Sequence, residues 1–230
     1  MAGLAVAFVV AARRQRAGRR ELFRRFAAAR GWAYLGDGDG LVESMAHDFE
    51  GFGRFRSSSA GKLVPEAVVL GDVEEGRICC FLHGTTGYEG KGRLWTVCMI
   101  QAGRPLGGPL RIRPRSVRWL REVGGDPRVR FHDDPTFEAG FEVAAPNPDA
   151  ARACLDSRVR GFLSSEHPGL PFPVAIQIRG RRVAAYLARK NARAERVADL
   201  QALVRFTRGL AATLSTAASR SATSTHGRAR

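Results

Sequence analysis

Few segments of this 230-residue chain place reactive side chains at spacings that do chemistry. His132-Asp133-Asp134 is the one place where a histidine is followed directly by two carboxylates. Such a trio would serve a metal or acid–base site if His83 or His47 folded against it. The plainer reading is a turn, with Asp133 and Asp134 leading into Pro135. Cys79 and Cys80 are adjacent on a β-rich run and so point to opposite faces. With Cys98 and Cys154 they form no C-x-x-C and no metal-ligand spacing, so reduced core thiols are expected. The Gly-rich run Gly84–Gly92 fails as a phosphate-cradling loop. Thr85 stands where the first glycine is required, and Gly92 where Ser or Thr should follow Lys91. Asp37 and Asp39, within Gly36–Gly40, lack the twelve-residue calcium loop with its terminal Glu. No G-x-S-x-G elbow is present. No catalytic residue, cofactor or metal is assigned, and an enzyme with a site near His132–Asp134 stands as a second alternative.

The charge is more informative than the chemistry. The formal net charge is +15, and 34 of the 37 basic residues are arginine. Residues 13–30 hold eight Arg and one Glu, and residues 179–230 hold twelve basic and two acidic residues. The stretch between them carries 17 basic and 19 acidic residues, so the centre is ordinary and the two ends are basic. Clustered cations suit nucleic acid, an anionic membrane surface, or a solvated helix face. No helix-turn-helix, zinc finger or RNP-like aromatic strand supports nucleic acid, which is kept as the first alternative through the basic termini.

At the N-terminus the neighbours of the arginines favour the membrane. Met1–Ala12 (MAGLAVAFVVAA) carries no charge. As a helix it would be about 18 Å long, short of a hydrocarbon core of about 30 Å. Arg13, Arg14, Arg16, Arg19 and Arg20 follow at once, a flank that the positive-inside rule places in the cytoplasm. The pattern is the second half of a single-pass anchor. Either the start lies upstream, or the segment inserts partway with the next helix at the interface. That helix, about Arg14–Arg30, groups Leu22, Phe23 and Phe26 near one face, where they meet either lipid or the domain. Gly31 is its expected stop.

The rest reads as an α+β domain, an antiparallel β meander with helices packed on one face, preceded by the apolar and Arg-rich helix. The domain boundaries are 1–31, 32–215 and a disordered basic tail at 216–230. Strands are expected at Trp32–Leu35, Gly53–Ser58, Ala67–Leu70, Arg77–His83, Leu94–Gln101, Leu110–Ile112, Val129–Phe131 and Gly140–Ala144. Pro173–Ile178 and Arg181–Leu187 make a hairpin around Gly180. Short helices are expected at Leu41–His47, Pro114–Glu122, Pro148–Leu155 with Asn147 as N-cap, and Arg158–Ser165. Arg193–Leu214 is the best helix, with Leu200, Leu203, Val204, Phe206, Leu210 and Leu214 on one broad face.

Asp134-Pro-Thr-Phe-Glu-Ala-Gly-Phe-Glu-Val143, then Asp149-Ala-Ala-Arg-Ala-Cys-Leu155 and a hairpin to Tyr186, resembles a family of bacterial membrane-anchored proteins of unknown function. There a D-P-x-F-E-x-x-F-x-V segment precedes a helix with an A-R-x-x-L core, and an Arg-rich helix ends in a Gly-aromatic pair, here Gly31-Trp32. The order of parts matches over roughly residues 13–190. The resemblance implies architecture and location, and it carries no functional residues. Phe137 and Phe141 are expected to point inward, with Ala151, Leu155 and Phe162 over them. The expected function is a membrane-associated, cytoplasm-facing, non-catalytic domain at the cell membrane, scaffolding or binding an unknown protein partner.

Overall fold

The computed structural model describes residues 2–37, 65–85, 93–117, 126–187 and 196–226, with the side chains of 2–9, 11–13, 83–85, 93–94 and 220–226 outside that description. The expected helix at Leu41–His47, the strand at Gly53–Ser58, and the continuation of a helix to Glu122 lie outside the described residues.

The chain begins with helix α1 (Ala2–Ala28) and strand β1 (Ala33–Gly36). Strands β2 (Glu66–Val73), β3 (Gly76–Thr85), β4 (Arg93–Ala102), β5 (Gly107–Pro114) and β6 (Arg128–Val129) follow. Then come helix α2 (Pro135–Gly140), strand β7 (Phe141–Ala144), and helices α3 (Pro148–Cys154) and α4 (Ser157–Glu166). The hairpin β8 (Val174–Gly180) and β9 (Arg182–Leu187) precedes the last helix, α5 (Val197–His226). The strands form one nine-stranded sheet in the order β1-β2-β3-β4-β9-β8-β5-β7-β6, with every neighbouring pair antiparallel. The α+β class is therefore as expected, but a simple meander describes only β1 to β4.

The departure has a local cause. The β8–β9 hairpin inserts between β4 and β5, so residues 103–106 must cross two strands. Three strand spacings come to about 14 Å, within the roughly 17 Å that five extended Cα steps reach. The crossing runs past the hairpin tip and is held there. Ala102 N–H donates to the Arg181 carbonyl (2.8 Å), Leu106 N–H to the Gly180 carbonyl (2.7 Å), and Arg181 Nε to the Ala102 carbonyl (3.0 Å). Gly180 turns the hairpin at φ 58°, a conformation that costs glycine little.

Strand alternation divides the buried residues into two sets. Ile78, Cys80, Cys98, Ile100, Ile112, Ile176, Val183 and Ala185 face the helices, together with Phe23 and Phe26 of α1 and the apolar stripe of α5. Cys79, Phe81, Val97, Met99, Ala175, Ala184 and Tyr186 face the other way. The adjacent Cys79 and Cys80 thus fall on opposite faces, and all four cysteines are free thiols. Burial pushes the Cys154 thiol up to about 12, and the Cys98 sulfur together with burial raises that of Cys80, so neither is a thiolate at neutral pH.

On α5, Leu200, Leu203, Val204, Phe206, Leu210 and Leu214 are all buried, the face that the periodicity sets out. Arg208 fastens the helix to the β2–β3 turn through Glu75, by Nε at 2.8 Å and a second N–H at 3.2 Å. The helix does not stop at Leu214, and residues 216–226 are helix where a disordered tail was expected. Ala217 is buried, and the hydroxyls of Thr213, Thr216 and Ser219 donate to carbonyls four residues back. Those bonds satisfy the polar groups that would otherwise favour turn or coil.

The segment from Phe131 to Phe141 builds a chain of rings. Phe137 sits 5.2 Å from Phe131 and 5.1 Å from Phe141, and Phe141 lies 5.1 Å from the His167 ring. His167 continues to Phe206, and Phe206 to Phe162. Ala151 and Leu155 belong to the same core as expected, whereas Phe162 turns toward α5 and lies over Gly209, where an added Cβ would come within 2.7 Å of its ring. Asp134 caps α2 by accepting from Phe137 N–H (3.0 Å), with Pro135 in the first turn, so the expected turn at Asp133 and Asp134 opens a short capped helix.

His167 Nε2 lies 3.1 Å from both the N–H and the carbonyl of Val174, accepting from one or donating to the other according to its tautomer, and burial holds the histidine below its ordinary range. Phe141→Ala is expected to destabilise the domain by about 3–5 kcal/mol in denaturant unfolding, the usual cost of removing a core aromatic; an unchanged midpoint would place Phe141 outside the core. His167 sets a second expectation. Because its folded value lies below the unfolded one of about 6.5, the unfolded chain binds more protons there, and stability falls as pH drops below about 6.5. Unfolding free energies measured at neutral and mildly acidic pH should differ less in His167→Gln than in the natural chain.

Candidate functional site

The N-terminal helix carries every residue that the sequence marks as membrane-proximal. Its stop is local: Gly31 adopts φ 64°, and Trp32 N–H returns to the Ala27 carbonyl at 3.0 Å. The chain then doubles back as β1, on the sheet edge beside β2. Trp32 meets Phe26 edge-on at 5.8 Å, with the Arg30 guanidinium 4.3 Å from the Phe26 ring. The Trp32 ring also covers Gly71 of β2, where a Cβ would lie 2.5 Å away. Glycine is needed there for that close approach.

Phe23 and Phe26 have no exposed surface, and Leu22 packs partly buried against the same core. Of the two surroundings open to these residues, lipid or the domain, Phe23 and Phe26 take the domain. A side chain enclosed by β2 and α5 has no surface left to place in a bilayer, and the apolar face of this part of α1 belongs to the domain.

The arginines divide by position. Arg16 and Arg20 both reach Asp37, just beyond β1, and both use its Oδ2 (3.3 Å for Arg16). Arg16 also contacts Glu66 of β2 at 3.1 Å. The other oxygen of Asp37 accepts from Ala67 N–H at 3.1 Å. Ala67 has φ 53°, and the β2–β3 register shifts there. The carboxylate thus binds α1 to a bulge in β2 that a residue with a Cβ adopts at some cost. Glu21 pairs with Arg25 (2.9 Å) and Arg24 (2.7 Å), and these bonds, Arg25 first, lower its pKa. Arg24 also lies 5.3 Å over the Tyr34 ring. Arg14 is exposed and Arg19 half-buried, while the side chain of Arg13 lies outside the described residues. A groove of about 540 Å³ runs along this face, lined by Arg16, Ala17, Arg20, Glu21 and Arg24.

Beyond Arg14 the character of α1 changes. Among the described side chains no residue before Leu22 joins the core, and Val10 is 42% exposed. The helix runs unbroken from Ala2, so an uncharged segment of about 16 Å continues the same rod that is docked lower down. No helix among the described residues is long and apolar enough to cross a membrane, so the single-pass anchor is not found there.

The alternative site around His132 folds differently. Arg160, its side chain only 9% exposed, takes both neighbouring carboxylates, Asp133 at 2.6 Å and Asp134 at 2.9 Å. It also donates to the Leu155 carbonyl (3.0 Å) and lies over the Phe131 ring at 5.2 Å. The Phe137 N–H first, and then Arg160, hold Asp134 below its usual carboxylate range. Both acids are committed to a structural arginine, and His132 stands exposed beside them. Among the described residues no group of three His, Cys, Asp or Glu side chains is placed to hold a metal ion. The sequence does not mark Arg160, of which the paired aspartates before Pro135 are the only trace, and it raises Asp37 only to set aside a calcium loop.

The molecule is thus an α+β protein with an antiparallel sheet and an arginine-rich helix docked at its edge. No family model matches the chain, and no curated protein matches it. Among solved structures it is similar to the crystal structure of the mycobacterial trehalose monomycolate transport factor A, TtfA. The TM-score is 0.57 over 86% of this chain and 94% of that one, at 15% identity. At that identity the likeness is one of fold.

If α1 docks as described, Phe26→Ala should lower the stability of the domain by about 3–5 kcal/mol in denaturant unfolding without any membrane present. A lipid-facing phenylalanine would leave the midpoint where it was.

Proposed function

We propose that this protein is a membrane-associated, cytoplasm-facing, non-catalytic domain that scaffolds or binds a partner protein. The observation that carries the reading is the continuity of α1. One helix joins an uncharged apolar segment to a part fixed on the domain by Phe23, Phe26 and Asp37, with arginines at the junction. A rod of that kind would hold the domain at a set distance and angle from a bilayer. Cations that follow an apolar segment favour the cytoplasmic side. The fold neighbour is described as a transport factor, which suits an accessory role. The resemblance carried by Asp134–Val143 and Asp149–Leu155 points the same way, because Asp134, Phe137, Phe141 and Leu155 all serve cap and core here.

Cell fractionation of the native gene product, including any upstream reading frame, tests this. The protein should pellet with membranes. Retention through alkaline carbonate would assign the hold to the apolar segment, and release by high salt alone would assign it to the arginines. A wholly soluble product would overturn the reading and leave nucleic acid as the next partner to assay. Deleting residues 1–12 should free the protein from the pellet while leaving its thermal midpoint unchanged, since the described core contacts of α1 begin at Leu22.

A further inference from the structure

The groove on α1 holds more donor capacity than its partners use. Arg16 and Arg20 share a single oxygen of Asp37, and Arg16 is further divided toward Glu66. The Nε of Arg20 is buried and meets no acceptor among the described residues. Ala17 lies between these arginines in the groove and presents only a methyl group, leaving room beside the guanidiniums. A tetrahedral oxyanion offers several acceptor oxygens to such a set, where the carboxylate offers one.

The position along the helix selects the source of that anion. With Ala12 at the hydrocarbon boundary, the rise of the helix puts Arg16 about 6 Å and Arg20 about 12 Å further out. A tilt of about 45° brings Arg20 to about 8 Å. The headgroup layer of one leaflet is about 5–7 Å thick, and arginine side chains span several ångströms more. We propose that the groove lined by Arg16, Ala17, Arg20, Glu21 and Arg24 receives the phosphate of an anionic lipid headgroup on Arg16 and Arg20, Arg24 being held by Glu21, and that Asp37 competes with that phosphate for Arg16 and Arg20. The inference rests on the membrane reading above and adds to it a defined site and an internal competitor. Asp37 would occupy Arg16 and Arg20 away from anionic lipid and yield them at the surface, while its second oxygen keeps Ala67 N–H.

The full chain is tested by flotation with phosphatidylcholine vesicles, with and without about a quarter of phosphatidylglycerol. Each cation near the headgroups is worth about fivefold in binding. Asp37→Asn retains the acceptor for Ala67 N–H and should bind the phosphatidylglycerol vesicles about fivefold more tightly or better, with no gain on phosphatidylcholine. Asp149→Asn, the same change in charge at an exposed site on α3, should gain less than about twofold. Ala17→Leu alters no charge, keeps a strong helix former, and should weaken binding to phosphatidylglycerol vesicles about fivefold by filling the groove. Matching thermal midpoints would show that the variants fold.

Equal gains for Asp37→Asn and Asp149→Asn, or an Ala17→Leu protein that binds like the natural one, would overturn the site. Membrane association would survive that result, because the vesicles are still bound. Failure to bind either vesicle would overturn both readings. Saturation of the groove by millimolar inorganic phosphate, blocked by Ala17→Leu and with no vesicle binding, would make it a pocket for a free anion and overturn the lipid assignment.

Discussion

The insertion of the β8–β9 hairpin between β4 and β5 is the constraint on which the rest of the sheet depends. On one side stands a four-strand meander, and on the other a small group of β5, β7 and β6. Among the described residues the strand pairing that joins the two runs through the hairpin. Residues 103–106 cross the hairpin tip and are held to it by the exchanges at Ala102, Leu106, Gly180 and Arg181. Gly107, at φ 155°, ends the crossing at a point where a Cβ would lie 2.4 Å from Cys154 Sγ. The turn into β5 is thereby packed directly on α3.

With both halves joined, one continuous face becomes available to the helices. The broad stripe of α5 covers its middle, and α3 and α4 cover the β5 end through Ala151, Leu155, Val159 and Leu163. The ring chain from Phe131 to Phe162 then links α2 and β7 to α4 and α5. Arg160 closes it at one end. A nearly buried guanidinium is tolerable only when its donors are met, and here two carboxylates, a carbonyl and a ring face meet them. The same arrangement pairs both Asp133 and Asp134 with Arg160.

The helix α1 combines two roles along one axis. From Leu22 onward its apolar residues complete the core at the β2 end, and Asp37 ties two of its arginines to the bulge at Ala67. Toward the N-terminus it carries no charge and, at Val10, is open to its surroundings. Docking by apolar contact is insensitive to salt, whereas the ties to Asp37 and Glu66 are partly exposed and respond to competing ions. The lower half of the helix can therefore stay in place while its arginines exchange partners.

Local pattern by itself determined much of this protein. The spacing of Leu200, Leu203, Val204, Phe206, Leu210 and Leu214 specified the buried face of α5. Gly31 and Gly180 marked their turns, Asn147 its cap, and the adjacent Cys79 and Cys80 two opposite sheet faces. These features follow from backbone geometry within a few residues, so no distant partner is needed to read them. Tertiary structure alone decided the strand order, because the hairpin's place is set by where β4 and β5 leave room for it. It also decided that Phe23 and Phe26 face the sheet, since periodicity groups side chains on a face without saying what lies opposite. The same holds for Asp37 and Arg160. Their partners are 17 to 27 residues away, and a charged side chain reveals its role only when the fold brings its counter-charge within reach.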